Sequence, residues 1–173
     1  VGLYDIVQGV SAQLTQNFTA DLTAILSARS LSLDPTVTVY PRLMGPYILE
    51  EGNGLALPGI GVYLVSADTN AKTQTQRKWK GGTAIDYVAQ LSAQDDIFAQ
   101  MELAVEAIMK SIDRIDFAVW TGIAGGSGGV YGAGDQELGT KVRFLPPTKL
   151  PDQALYSGRV IVTVPTWQQD QGL

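Results

Sequence analysis

Residues 60–115 constrain this chain most, because three patterns of different period follow one another there. From Ile60 to Ala67 nearly every position is apolar, as in a strand buried on both faces. Residues 83–91 alternate instead, with Ile85, Tyr87, Ala89 and Leu91 on one face and Asp86 and Gln90 on the other. The period then becomes helical, and Ile97, Met101, Ala104, Val105, Ile108, Met109 and Ile112 fall along one stripe. Ser92 is the expected cap of that helix, with Asp95 as its reciprocal partner. Asp95 and Asp96 suit the first turn, and Lys110 and Arg114 the last. Two strands and a helix in series make a half-layer that the remaining chain must cover.

Between the two strands lies a polar arm, residues 68–80, rich in alternating threonine and glutamine. That alternation suits extended strands and fits a helix poorly. Lys72, Arg77, Lys78 and Lys80 fall within this arm, Trp79 sits among them, and no acid intervenes between Asp68 and Asp86. One reading is a solvated hairpin tip. The other is a projecting β-arm that meets an acidic neighbour or a phosphate, anchored by Trp79. Gly81 and Gly82 are expected to let the chain turn back into the second strand.

Upstream, residues 5–29 read as a first helix, with Val7, Val10, Leu14, Phe18, Leu22, Ile25 and Leu26 at spacings of three and four. Its threonines, asparagine and glycine lower intrinsic propensity, so this helix depends on docking. Pro35 bars helix continuation, and residues 36–40 form a short β-branched strand stopped by Pro41. Residues 41–59 combine Pro41, Pro46 and Pro58 with Leu43, Met44, Tyr47, Ile48 and Leu49. This loop is too apolar for a free linker, so it packs either over its own domain or against a partner.

Downstream, residues 117–121 are a short apolar strand candidate. A glycine-rich loop follows at 122–135, with seven glycines in fourteen residues. It lacks the lysine and the strand-to-helix setting of a phosphate loop, so a nucleotide site is not expected there. Residues 140–145 read as a strand ended by Pro146 and Pro147, and residues 156–164 as a last strand closed by Pro165. The polar tail, 166–173, is either mobile or tucked onto a neighbour.

At 173 residues and 45% hydrophobic, the chain has the size and composition of one folded domain spanning 1–173. It contains no histidine and no cysteine. The commonest general base, the usual transition-metal ligand, thiolate chemistry and disulfides are thereby removed. No catalytic, cofactor-binding or metal-binding residues are expected, and no enzyme. Glu102 and Glu106 share a helix face, but carboxylates at that spacing ordinarily form a solvated surface. A net charge of −5 argues against nucleic-acid binding over the whole surface. No apolar run approaches the roughly 20 residues that cross a bilayer, and no signal peptide opens the sequence. The order of elements predicts an α+β fold, a mostly antiparallel sheet with two helices on one face and a long β-hairpin arm.

This order resembles the tail-terminator and neck proteins of long-tailed bacteriophages. The resemblance is carried by the N-terminal helix beginning near Tyr4, the short strand before Pro41, the hairpin with its Thr/Gln-rich arm, and the helix from Asp96 to Ile108. It spans residues 4–120. It implies a small α+β subunit that assembles as a homo-oligomeric ring, commonly a hexamer. Such a ring sits on the end of a tail tube and joins it to the neck or connector. DNA passes through the channel without specific binding, no membrane is involved, and the protein resides in the virion after synthesis in the host cytoplasm. The interface candidates are Lys72, Arg77, Lys78, Trp79 and Lys80 in the arm, and Leu43, Met44, Tyr47, Ile48 and Leu49 in the loop. Another neck, head-closure or tail-tube subunit is the alternative. A ligand-binding or hydrolytic domain using Ser127, Asp135 or Lys141 is a further one.

Overall fold

The structure is a computed structural model that describes residues 3–50, 52–71, 77–113, 129–133, 139–149 and 154–170. Helix α1 (Leu3–Ala28) buries Val7, Val10, Leu14, Phe18, Leu22, Ile25 and Leu26, the stripe that its periodicity predicts, and Ile6 in addition. It ends in paired reverse bonds, from Ser30 N to the Ser27 carbonyl and from Leu31 N to the Leu26 carbonyl. Ser30 takes φ 53 at the left-handed position that glycine usually fills.

Strand β1 (Thr38–Pro41) runs parallel to β2 (Gly59–Ala71), and the connection between them contains the short helix α2 (Gly45–Ile48). Strand β3 (Arg77–Leu91) returns antiparallel to β2, and helix α3 (Gln94–Asp113) follows it. The remaining strands are β4 (Gly129–Ala133), β5 (Lys141–Lys149) and β6 (Tyr156–Asp170). The sheet order is β1-β2-β3-β6, with β5 and β4 end to end along the outer edge of β6. This is an α+β fold with a mixed, mostly antiparallel sheet.

Helices α1 and α3 lie on one face of the sheet. Ile60, Val62, Ile85, Tyr87, Ala89, Val160, Val162 and Val164 point up into them to form the core. The Phe18 and Tyr87 rings meet there with centroids 6.0 Å apart. Gly158 lets α3 come down onto β6, since a side chain there would run into Ile97. Among the described residues the opposite face is covered over its first part, by the segment carrying α2. The Leu43 carbonyl and Ile48 pack on Gly61, where any side chain would collide with that carbonyl. Gly59 to Val62 are therefore buried, whereas Val65 further along β2 is 54% exposed. Burial on both faces holds for half of the predicted strand and fails where the α2 segment no longer covers it.

Other boundaries also move. Gly81 and Gly82 do not turn the chain. They lie within β3 opposite an irregularity at Val65 of β2, where the Ser66 carbonyl comes so close that Gly81 has no room for a side chain. Pro146 and Pro147 do not end β5, because the register shifts between Leu145 and Thr148 and an edge strand tolerates the bulge. Pro165 does not close β6, which pairs through it with β3. It falls between the β5 partners, ending at Thr163, and the β4 partners, starting at Thr166, so no outer neighbour needs its missing N–H. The polar tail is thus strand up to Asp170. Part of the glycine-rich loop, 129–133, is the strand beside it. The strand candidate at 117–121 lies outside the described residues. The cap of α3 is Ala93, whose carbonyl receives the Ile97 amide, one residue beyond Ser92.

Candidate functional site

The arm continues the sheet. Beyond the β2 irregularity the ladder runs Asp68 with Lys80, Thr69 with Trp79, Asn70 with Lys78 and Ala71 with Arg77. β6 extends along its other side, pairing Lys80 with Trp167, Trp79 with Gln168 and Lys78 with Gln169, and β4 adds a further strand. The predicted hairpin is therefore one corner of the six-stranded sheet, at the end where β2, β3, β6 and β4 run together. Lys72 lies outside the described residues; Arg77, Lys78 and Trp79 are placed by backbone register alone. Lys80 is half-buried and stands directly across from Asp68, so an acid does face this end of the basic run.

The apolar loop divides its residues between two roles. Ile48 is 1% exposed, packed beside Gly59 and Gly61, and cannot meet a partner. Leu43 and Leu49 are half-buried. Met44 and Tyr47 remain outside, at 42% and 57% exposed. Packing over its own domain thus holds for Ile48, while Met44 and Tyr47 are left exposed.

What seats this loop is a polar cluster centred on Asp86. The strand alternation places Asp86 on the face away from the helices, and α2 encloses it completely. Arg159 on β6 grips it with both prongs, Nε to Oδ1 at 2.8 Å and a terminal nitrogen to Oδ2 at 2.7 Å. The Gly45 amide donates to Oδ2 at 2.8 Å and the Tyr63 hydroxyl at 3.2 Å. A side chain at Gly45 would collide with both Asp86 and Arg159, so glycine is what lets the backbone reach the carboxylate. Burial first, and then the adjacent carboxylate, push the Tyr63 hydroxyl up. The hydrogen bond to Asp86 pushes the Arg159 guanidinium up. The carboxylate is matched by charge and by hydrogen bonds, so the cluster fastens the loop to the sheet. No group of acidic residues able to hold a metal occurs among the described residues.

A second clasp holds the start of the loop. Arg42, at φ 62, stacks its guanidinium 3.6 Å above the Tyr4 ring and donates to the Tyr4 carbonyl at 2.8 Å. The alternation in the sequence sets Asp86 on the face opposite Ile85 and Tyr87 without naming a partner, and Arg159 and Arg42 carry no periodic signal. The available hint was one acid and one base, each interrupting an apolar strand. Of the hydrolytic alternative, Ser127 and Asp135 lie outside the described residues, and Lys141 is exposed on β5.

No known protein family matches the chain, and no curated protein does either. Among the described residues no helix is long and apolar enough to cross a membrane.

Proposed function

We propose that this chain is a structural subunit of a long-tailed bacteriophage virion, a ring-forming tail terminator that caps the tail tube and joins it to the neck. The observation that carries this reading is the length of the β2–β3 hairpin. Its ladder continues to Ala71 and Arg77, well past the buried residues of β2 at Gly59 to Val62, where side chains from Val65 to Asp68 are exposed. Strand with exposed side chains from Val65 to Asp68 is suited to meeting another subunit. Met44 and Tyr47, held out on a fastened loop, supply a second apolar contact. Copies joined through such unlike surfaces make heterologous contacts, which close into a ring when the rotation allows. The ring, commonly a hexamer in proteins of this kind, would contact the tail tube protein on one side and the connector on the other. A net charge of −5 suits a channel through which DNA must slide. In this role the protein is not an enzyme and needs no cofactor.

Charge reversal in the arm tests the reading. Lys72→Glu, Arg77→Glu and Lys78→Glu together should leave the subunit folded and reduce the yield of finished tails joined to heads, counted in micrographs. Normal tail length and full infectivity in that variant would refute the role of the arm. A purified wild-type protein that stays monomeric even on tube ends would refute the ring.

A further inference from the structure

Strand β5 has one edge paired to β6 and, among the described residues, no strand on the other. Its side chains from Lys141 to Phe144 are all exposed. Register sets Val142 across from Val162 and Phe144 across from Val160, hence on the helix side of the sheet, at 41% and 45% exposed. Lys141 and Arg143 lie across from Thr163 and Ile161, on the other side. Helix α3 packs against β3, β6 and β5. Its flank toward α1 is marked by the Arg29–Glu106 ion pair at 2.7 Å and the Ser111–Asp21 bond at 2.9 Å. Helical geometry then turns Phe98, Val105 and Met109 to the opposite flank, above β5, with Phe98 40% exposed. A strand edge with no partner among the described residues thus runs beside an apolar strip on one side and a pair of cations on the other.

We propose that β5 and this flank of α3 form a docking groove for an extended segment of a partner protein in which apolar and acidic residues alternate. Such a segment adds as a further strand, its main chain bonding to the open edge of β5. Strand period sends alternate side chains up against Phe98, Val142 and Phe144, and the intervening ones beside Lys141 and Arg143, where carboxylates are complementary. A second copy's β5 fits badly, because the same cations would meet across the new ladder. The bulge at Pro146 and Pro147 limits the groove to residues 141–145. The groove goes beyond the ring reading and does not depend on it.

The probe is a fluorescein-labelled heptapeptide, Glu-Val-Glu-Ile-Glu-Val-Glu, with blocked ends, titrated by anisotropy. Three controls accompany it: lysine in place of glutamate, the same residues with all glutamates at one end, and N-methylation at alternate amides. Each control should bind about tenfold more weakly or not at all, the scale of a few lost cross-strand pairs. Phe144→Asp and Arg143→Glu should each weaken the alternating peptide similarly while leaving the circular dichroism and melting temperature unchanged, since both residues are exposed. Equal binding of the alternating and block peptides, indifference to Phe144→Asp, or no binding of any peptide would overturn the proposal. So would self-association of the wild type that Phe144→Asp abolishes, because a second copy would then fill the groove.

Discussion

Asp86 carries a carboxylate with no exposed surface, so its environment must replace everything water supplied. Two guanidinium bonds, one amide and one phenol do so. Removing the carboxylate strands the Arg159 charge and leaves the Gly45 amide without its acceptor. Asp86→Ala should therefore cost about 3–5 kcal/mol in urea unfolding, whereas Asp86→Ala with Arg159→Ala should cost less than the sum of the two single changes. Tyr87 makes a different prediction. Its hydroxyl is buried on the helix side and accepts a hydrogen bond from Gln100 at 2.6 Å. Burial is the main cause that pushes it well above the ordinary phenol value. The folded state thus holds the neutral phenol more firmly than the unfolded chain does. Its stabilisation is complete below the unfolded value of about 10 and is lost as pH rises through the folded one. Urea midpoints should fall above about pH 10, and Tyr87→Phe should flatten that fall. The same variant lowers stability at neutral pH by about 1–3 kcal/mol, because Gln100 loses its partner.

The β2–β3 hairpin is one element with two environments. From Thr83 to Ala89, β3 is buried at every position between the helices and the fastened loop. Beyond the irregularity at Val65 the same strands continue as a sheet, with exposed side chains on β2 from Val65 to Asp68. Backbone hydrogen bonds are equally continuous in both halves, so the difference in local stability must come from apolar burial. In native-state hydrogen exchange, amides at 83–89 and 160–164 should open only with global unfolding. Amides at 66–71 and 77–81 should exchange faster, at lower opening energies. Uniform protection along the hairpin would mean that the arm shares the core's cooperativity. The α1 terminus also belongs to this scale: Ser30 occupies a left-handed position with no glycine, so its stop was written in backbone bonds rather than in composition.

Across the whole molecule, what was legible in the chain is what short-range period encodes. The stripes of α1 and α3 needed no distant neighbour to be read, because side chains three and four apart share a helix face wherever the helix docks. The alternation at Ile85, Tyr87 and Ala89 likewise named the core face of β3. The α+β class followed from the order of these elements. The errors fell where a partner from far along the chain decides. Pro165 and the polar residues after it become strand because β3 and β4 lie on either side to pair with them. Asp86 is buried because α2 closes over it and Arg159, 73 residues away, neutralises it. Ile48 turns inward because Gly59 and Gly61 leave space beneath it. The central stretch from Ile60 to Ile112 therefore determined by itself which faces are apolar, a matter of chain geometry and hydrophobic burial. Only tertiary structure decided how far each strand runs, which charge is buried and which loop side chains are covered. Those outcomes depend on a neighbouring backbone or counter-charge that local sequence does not contain.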